Sequence, residues 1–281
     1  MFSFNKKSLI MGILNVTPDS FSDGGKYFKI ENAIKHAEEL IKSGIDIIDI
    51  GGESTRPGAM PVSEKEELRR IVPIVKWRRD VVHNVSTAQI VISIDTYKSN
   101  VAQKCLETGA DMINDVSGLT MDAEMVKVAA KYNCPIVIMH NRGIPATKPE
   151  NVTRHCEEQS NEAISKTLGR LPRRDFVPPR NDIVSKICSW LKKQTEYALE
   201  NGIKKENIII DPGIGFDKTP EEDLFIIENL QGLKSLGYPI LVGPSRKSFI
   251  KKLFPDSDID IKSKEIINLA IENGADIVRI H

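Results

Sequence analysis

The chain alternates between short apolar runs rich in β-branched residues and longer segments whose apolar positions recur at helical spacing. Runs of the first kind predict strands, and apolar positions that recur every three to four residues predict helices. Strands are predicted at Leu9–Leu14, Asp46–Ile50, Ile90–Ile94, Met112–Ile113, Pro135–Met139, Asn207–Ile210, Pro239–Val242 and Asp276–Ile280. Helices are predicted between them at 31–43, 63–81, 98–108, 122–132, 183–201, 221–231 and 261–273.

This alternation predicts an α/β protein with a parallel sheet. Strands that are apolar along their whole length are typical of a sheet that helices cover on both faces. Eight strands separated by helices within 281 residues fit a (β/α)₈ TIM barrel better than an open, doubly wound sheet. We therefore expect residues 1–281 to form a single barrel domain.

Two features interrupt the repeating pattern. The sequence ends at His281, directly after the eighth predicted strand, so we expect the helix after strand 8 to be missing from this barrel. Residues 151–182 separate strand 5 from its helix, and their mixed charges, arginines and Pro-Pro step predict a poorly ordered insertion. We interpret this insertion as inert, and the alternative is a lid that is specific for a substrate.

The overall composition argues against a nucleic-acid or membrane partner. Lys plus Arg equals Asp plus Glu at 39 each, so no net field attracts a polyanion. No stretch approaches the roughly 20 apolar residues that a membrane span requires, and the N-terminal apolar run lacks a small-x-small cleavage site. The four cysteines are widely spaced and form no CxxC pair. Reduced thiols and a cytoplasmic location are the simplest interpretation.

Polar residues cluster where the predicted strands end. Because the active site of such a barrel lies at the carboxyl ends of its strands, these residues are candidates for a shared site. Each of them has a plain alternative, since Asp, Asn and Ser after a strand often cap the next helix. The residues are Asn15, Asp49, Asp95, Asn114, His140, Asp211, Ser245, Arg246, Lys247, Arg279 and His281.

The first two loops at these strand ends carry suggestive chemistry. Asn15 ends strand 1, where its amide oxygen can ligate a hard cation such as Mg²⁺. Phe21 is an aromatic residue in a polar loop, which suits a lid over a ring-shaped ligand, although a purely structural turn also explains this segment. After strand 2, Ser54, Thr55 and Arg56 supply hydroxyls and a guanidinium that suit an anionic group.

The ends of strands 3, 4, 6 and 7 supply groups that suit a nitrogen-rich heterocycle. They carry Asp95, Asn114, Asp211 and Lys247, and a carboxylate can accept paired N–H bonds from an aminopyrimidine-like edge. Phe216 lies in the loop "DPGIGF", where its ring could pack against a bound ring. This loop is not a dinucleotide fingerprint, because the third glycine and the later acidic residue are absent.

The last strand delivers a cationic pair. Arg279 and His281 follow the final apolar run, and barrel closure would place them beside Asn15. Phosphate sites in these barrels often lie near strands 7 and 8. Together with Mg²⁺, these residues could therefore hold a leaving pyrophosphate, and the alternative is a basic chain terminus without a ligand.

Several blocks of sequence carry a family resemblance. The chain contains "GILNVTPDSFSDGG", "DIGGESTRPGA", "SIDTYKSNVA", "INDVSG", "DPGIGFDKT", "GPSRKSF" and "GADIVRIH". These blocks resemble those of the dihydropteroate synthase family of pterin-binding TIM barrels, occur in the family's order and cover nearly the whole chain. The first two blocks are the most specific.

The resemblance implies a transferase of folate biosynthesis. Such enzymes join 7,8-dihydropterin-6-ylmethyl diphosphate to 4-aminobenzoate and release pyrophosphate, with Mg²⁺ as cofactor and usually as homodimers. The resemblance assigns the pterin to Asp95, Asn114, Asp211, Phe216 and Lys247. It assigns the diphosphate to Asn15, Arg279 and His281, with Asn15 on the metal. It assigns the aminobenzoate side, where sulfonamides compete, to Phe21, Thr55, Arg56, Pro57 and Ser248. The chemistry itself would rest on Asp95, Lys247, Arg279 and His281.

Two alternatives to a working synthase stay open at this point. The absent helix and the insertion also fit a truncated or decayed synthase that binds pterin without efficient turnover. A pterin-binding methyltransferase domain shares the barrel and part of the Asp/Asn pattern. It would not need the "NVTPDSFSDGG" and "STRPGA" loops or the Arg-x-His ending.

Overall fold

The computed structural model describes residues 8–17, 26–54, 59–82, 90–141 and 181–281. In these residues eight strands alternate with helices along the chain. The strands are β1 (Leu9–Asn15), β2 (Ile47–Gly51), β3 (Val91–Asp95), β4 (Met112–Asp115), β5 (Ile136–Met139), β6 (Ile208–Asp211), β7 (Leu241–Val242) and β8 (Ile277–Ile280). The helices are α1 (Lys26–Lys42), α2 (Glu64–Val82), α3 (Ser99–Thr108), α4 (Met125–Tyr132), α5 (Asn181–Glu200), α6 (Pro220–Glu228), α7 (Gln231–Lys234), α8 (Ser248–Leu253) and α9 (Ile259–Glu272).

The eight strands form one sheet that curls into a nearly closed barrel. The order of neighbouring strands is β6-β5-β4-β3-β2-β1-β8-β7, and every pairing is parallel. The two outermost strands meet through a parallel bridge between Ile210 and Ile240, which brings β6 beside β7. The predicted (β/α)₈ fold class is therefore confirmed.

The apolar side chains divide into a small interior core and a larger outer layer. Residues that point into the barrel pack together in its lower half, and they are Leu9, Met11, Ile47, Met112, Val137, Ile209, Leu241 and Ile277. The alternate residues of the same strands point outward and pack against the helices, as Ile48 and Ile50 of β2 do. This alternation follows from the two-residue period of a strand. The apolar residues named above fill only the lower half of the barrel interior, so the upper half is lined by the residues that follow them on the strands.

Several helices differ from the predicted ones, and α1 begins at Lys26, five residues before its predicted start. The predicted helix at 221–231 ends at Glu228, and a separate short helix, α7, begins at Gln231. Helix α8 was not predicted, because its six residues are too few to show a helical period. Helix α5 begins at Asn181, so the last two residues of the predicted insertion, 181 and 182, belong to this helix. The remainder of the insertion lies outside the described residues.

Helix α9 begins with a side-chain N-terminal cap. Asp258 stands before its first turn, and its carboxylate accepts hydrogen bonds from the backbone N–H groups of Asp260 and Ile261, both over 2.9 Å. Such a cap satisfies donors that the first turn leaves unpaired. None of the helices in the described residues has an apolar span long enough to cross a bilayer.

Candidate active site

The site arises from the alternation of side chains along the strands. On four strands, the residue two positions after an interior apolar residue is polar, so it points into the barrel one layer higher. The pairs are Ile47 and Asp49, Met112 and Asn114, Ile209 and Asp211, and Ile277 and Arg279. The carboxyl end of the barrel is therefore lined by charged and amide groups above an apolar floor.

Three of these side chains form one hydrogen-bonded network across the barrel together with Asp95 of β3. Asp49 Oδ2 accepts from Asn114 Nδ2 over 2.9 Å and from Arg279 Nε over 2.7 Å. Arg279 Nη2 donates to Asp95 Oδ2 over 2.6 Å. The guanidinium thus bridges strands β2 and β3, and its fork shape lets it bind two carboxylates at once.

The network keeps capacity for a ligand. Asp49 and Asp95 are 0% and 6% exposed, and one oxygen of each, Oδ1 in both, is without a hydrogen-bond partner among the described residues. A buried carboxylate oxygen normally has a partner, because losing water without replacement costs free energy. These two oxygens are therefore placed to accept N–H donors from a bound molecule.

The electrostatics of this network favour a charged arginine. Burial by itself lowers the pKa of Arg279, but Asp49 and Asp95 more than offset this and hold that pKa above its usual value. Burial raises the pKa of Asp95 to about 7, and the nearby Arg279 acts in the opposite direction. Burial therefore opposes the charged form of Asp95, and the ion pair with Arg279 supports it.

A second group of residues lies at the ends of β6 and β7. Lys247 Nζ lies 4.4 Å from the ring centroid of Phe216, a distance typical of a cation–π contact. Gly215 has φ +78°, and a Cβ there would lie 3.1 Å from Lys247 Cδ. Glycine is therefore required at 215 for its backbone conformation and for the space that Lys247 occupies.

Asp211 joins the two groups electrostatically. It is 6% exposed and accepts a hydrogen bond from the Gly213 N–H over 2.7 Å. Burial raises its pKa to about 6, while that hydrogen bond and the charges of Lys247 and Arg279 act to lower it. Burial lowers the pKa of Lys247 to about 8, and Arg279 acts in the same direction. A carboxylate and an ammonium with opposite pKa shifts thus share one buried environment.

Asn15 lies at the end of β1, beside this network. A Cβ built on Gly51 would lie 3.4 Å from Asn15 Oδ1 and 3.8 Å from Asp95 Oδ2, so both oxygens lie close to the Gly51 backbone. Oxygen donors of this kind suit Mg²⁺, which usually takes one or two protein ligands and keeps water or phosphate oxygens as the rest. No group of three His, Cys, Asp or Glu side chains gathers as a metal site in the described ranges.

The remaining predicted residues lie at the rim or beyond the described part. The backbone N–H of His281 donates to Ser245 Oγ over 3.4 Å, which joins the end of β8 to the loop after β7. Ser248 is exposed at the first position of α8. Phe21, Thr55, Arg56 and Pro57 lie outside the described residues.

Asp49 was among the strand-end residues in the sequence but was not assigned a role there. The structure places it at the centre of the network, with hydrogen bonds to both Asn114 and Arg279. Its signal in the sequence was a carboxylate inside the apolar run "IDIIDIGG", where a charge has no reason to be buried unless it is paired. That run alone does not reveal the partners.

The family described as pterin binding enzyme matches residues 11–281 of this sequence. The chain belongs to the pterin-binding enzyme family. Within that family it is similar to the dihydropteroate synthase of Synechocystis sp. (strain ATCC 27184 / PCC 6803 / Kazusa), at 41% identity over 284 residues. That alignment covers 100% of this chain and 87% of the relative.

Solved structures of pterin-binding enzymes agree with this assignment. The dihydropteroate synthase of Clostridium difficile, determined in the presence of pteroic acid, superposes with a TM-score of 0.80 and 40% identity. The match covers 100% of this chain and 93% of that one. The dihydropteroate synthase of Anaplasma phagocytophilum, with bound 6-hydroxymethylpterin-monophosphate, has a TM-score of 0.79 and 34% identity over 98% and 94% of the two chains.

Proposed function

We propose that this pterin-binding enzyme is a dihydropteroate synthase, a transferase that joins 7,8-dihydropterin-6-ylmethyl diphosphate to 4-aminobenzoate in folate biosynthesis. The observation that carries the proposal is the buried network of Asp49, Asp95, Asn114 and Arg279 at the strand ends. Relatives of the same name cover the whole chain, and one of them binds a pterin monophosphate. Both point to the same chemistry as the network.

The pterin edge would be held by acceptors and one ammonium. A pterin presents a row of ring and amino N–H groups, which match the unpartnered oxygens of Asp49 and Asp95. Asp211 supplies a further carboxylate, and Lys247 donates to ring acceptors from beside Phe216. The low polarity around these buried groups strengthens each hydrogen bond relative to water.

The reaction requires the carbon–oxygen bond to the diphosphate to break while the amine nitrogen of aminobenzoate forms a bond to the same carbon. The methylene carbon becomes electron-poor, and we expect the carboxylates of Asp95 and Asp211 to stabilise that charge. The leaving diphosphate gains negative charge, which Arg279 and His281 at the end of β8 would stabilise. The amine loses its proton to water or to a carboxylate at the site.

Mg²⁺ belongs to this proposal as the companion of the diphosphate. Asn15 would provide its protein oxygen, which lies close to the Gly51 backbone. When bound, the metal would neutralise charge on the departing oxygens. The aminobenzoate side is proposed for Phe21, Thr55, Arg56, Pro57 and Ser248, of which the exposed Ser248 lies on α8 directly after Lys247.

The purified chain, supplied with both substrates and Mg²⁺, should form dihydropteroate and release pyrophosphate. Binding of the pterin diphosphate without product would instead support the decayed synthase that the sequence left open. Lys247→Ala should abolish pterin binding, measured by calorimetry. Lys251→Ala removes an exposed lysine of α8, the helix that Lys247 precedes, and should leave the binding unchanged. Equal binding by both variants would contradict the proposed pterin site. The predicted homodimer stays a prediction, which the mass in solution would test.

A further inference from the structure

A buried ionic cluster lies outside the network described above, at the base of the loop after β2. The ammonium of Lys98 donates to the carboxylate of Glu53, to Glu67 Oε2 over 2.6 Å and to the carbonyl oxygen of Val62 over 2.7 Å. An ammonium has three N–H donors, so all three are in use. Tyr97 Oη donates to the other oxygen of Glu53 over 2.7 Å.

This cluster holds both ends of one loop. Glu53 belongs to the stem that leaves β2, and Val62 belongs to the stem that enters α2. Glu53 Oε2 accepts from the Val62 N–H over 3.1 Å, so the two stems are bonded to each other and to the same lysine. Between the two stems lie residues 55–58, three of which carry the predicted aminobenzoate role.

The first stem is also fixed against helix α2. Arg70 Nη1 donates to the carbonyl oxygen of Gly52 over 2.7 Å. A Cβ at Gly52 would lie 2.9 Å from Glu67 Cγ and 3.2 Å from the Glu67 carbonyl oxygen, closer than a side chain tolerates. Glycine at 52 therefore lets the stem approach the helix closely enough for Glu53 and Glu67 to share Lys98.

Burying these three charged side chains costs desolvation free energy, which argues that the cluster has a role beyond stability. The side chains of Lys98, Glu53 and Glu67 are 13%, 8% and 1% exposed. Two carboxylates share one cation away from water, and such groups are no more stabilising than an apolar core of equal volume. Their advantage is a defined geometry, because each N–H of Lys98 has its own acceptor and Glu53 Oε2 joins Lys98 to the Val62 N–H.

We propose that Lys98 is a positioning residue for the second substrate, because it fixes both stems of the loop that follows β2. Lys98 lies three residues after Asp95, so the same β3 end that supplies the pterin network also anchors this loop. Glu53 and Val62, on the described stems of this loop, are thereby tied to the chain segment that directly follows Asp95. This inference rests on the proposed function, which gives the loop its substrate.

Lys98→Met tests the inference, because it keeps the aliphatic stem and removes the ammonium. A loop misplaced by about 1 Å can cost about a hundredfold, so we expect the KM for 4-aminobenzoate to rise at least about tenfold. Calorimetry should give a Kd for the pterin diphosphate within about twofold of the wild-type value, since the network of Asp49 and Arg279 is untouched. The Val62 amide should exchange its hydrogen faster, because its acceptor is released.

Two further variants keep the test decisive. Tyr97→Phe removes one hydrogen bond to Glu53 without unpairing a charge, and it should shift the same KM in the same direction by less. Lys104→Met, an exposed lysine of α3, is the matched control and should change neither KM nor exchange. If Lys98→Met does not fold, the aminobenzoate KM of Tyr97→Phe alone tests the positioning role.

The outcomes separate this inference from the proposed function. An unchanged aminobenzoate KM, or an equal loss of both substrates, would overturn the positioning role. Unchanged exchange at Val62 would also overturn it, because the stems would then be fixed without Lys98. If the wild-type chain forms no dihydropteroate, the proposed function fails, but exchange needs no turnover and still shows whether Lys98 fixes the loop stems.

Discussion

Arg279 Nε donates a hydrogen bond to Asp49 Oδ2 over 2.7 Å, which joins two residues 230 positions apart in the sequence. The same Asp49 oxygen accepts from Asn114, and the same arginine reaches Asp95. Asp49 is fully buried, so the direction of the Arg279 side chain depends on a carboxylate that water does not reach. The orientation of the proposed diphosphate-binding arginine is thus set from strand β2.

Asp49→Asn should weaken binding of the pterin diphosphate by about tenfold to hundredfold, because a hydrogen bond to a charged group contributes about 1.5–3 kcal/mol. The measurement is calorimetric titration of the purified variant. Asp115→Asn is the matched control, since Asp115 is equally buried and accepts hydrogen bonds from the backbone N–H groups of Ser117 and Leu119. It should lower Tm and leave the affinity near the wild-type value. Equal affinity losses in the two variants would contradict a specific role for Asp49.

Gly215→Ala should reduce pterin affinity by displacing Lys247. The new Cβ would lie 3.1 Å from Lys247 Cδ, and the backbone has φ +78°. Gly202→Ala shares the backbone strain, with φ +91°, but its Cβ would meet only Ala130 Cβ at 3.7 Å. Both variants should lose about 1 kcal/mol or more of unfolding free energy, measured by denaturant titration. Loss of pterin affinity in both variants, or in neither, would show that the space beside Lys247 does not determine that affinity.

Asp211→Asn should be more stable than the wild type at pH 8 and equally stable near pH 4. The pKa of Asp211 is raised from 3.8 to about 6, chiefly by burial. A raised pKa means that stability is fully present below 3.8, falls as the pH rises toward 6, and is lost above it. The amide variant keeps an acceptor for the Gly213 N–H and does not ionise.

Melting curves of both proteins from pH 4 to pH 8 would check this expectation. The difference in Tm should open between about pH 4 and pH 6, the window set by the two pKa values. Asp256→Asn, which alters an exposed carboxylate, should follow the wild-type curve at every pH. A constant difference across the range would mean that the buried charge of Asp211 does not limit stability.

Much of the barrel follows from local patterns in the sequence. Predicted strands such as Leu9–Leu14 differ from the observed Leu9–Asn15 by a single residue, because a fully buried parallel strand must be apolar throughout. Helix α8 escaped prediction because six residues contain less than two turns of periodicity. The break between α6 and α7 also went unpredicted, since the apolar pattern continues across it.

The sequence by itself determined the fold class, the family blocks and the strand ends on which polar groups would gather, because strand periodicity and local composition are properties of neighbouring residues. Only the tertiary structure decided which of those groups touch. Asp49 meets Arg279 because β1 lies between β2 and β8 in the sheet. Lys98 meets Glu53 and Val62 because the end of β3 lies beside the loop after β2. Contacts of this kind depend on sheet order and register, which place residues together that no local pattern connects.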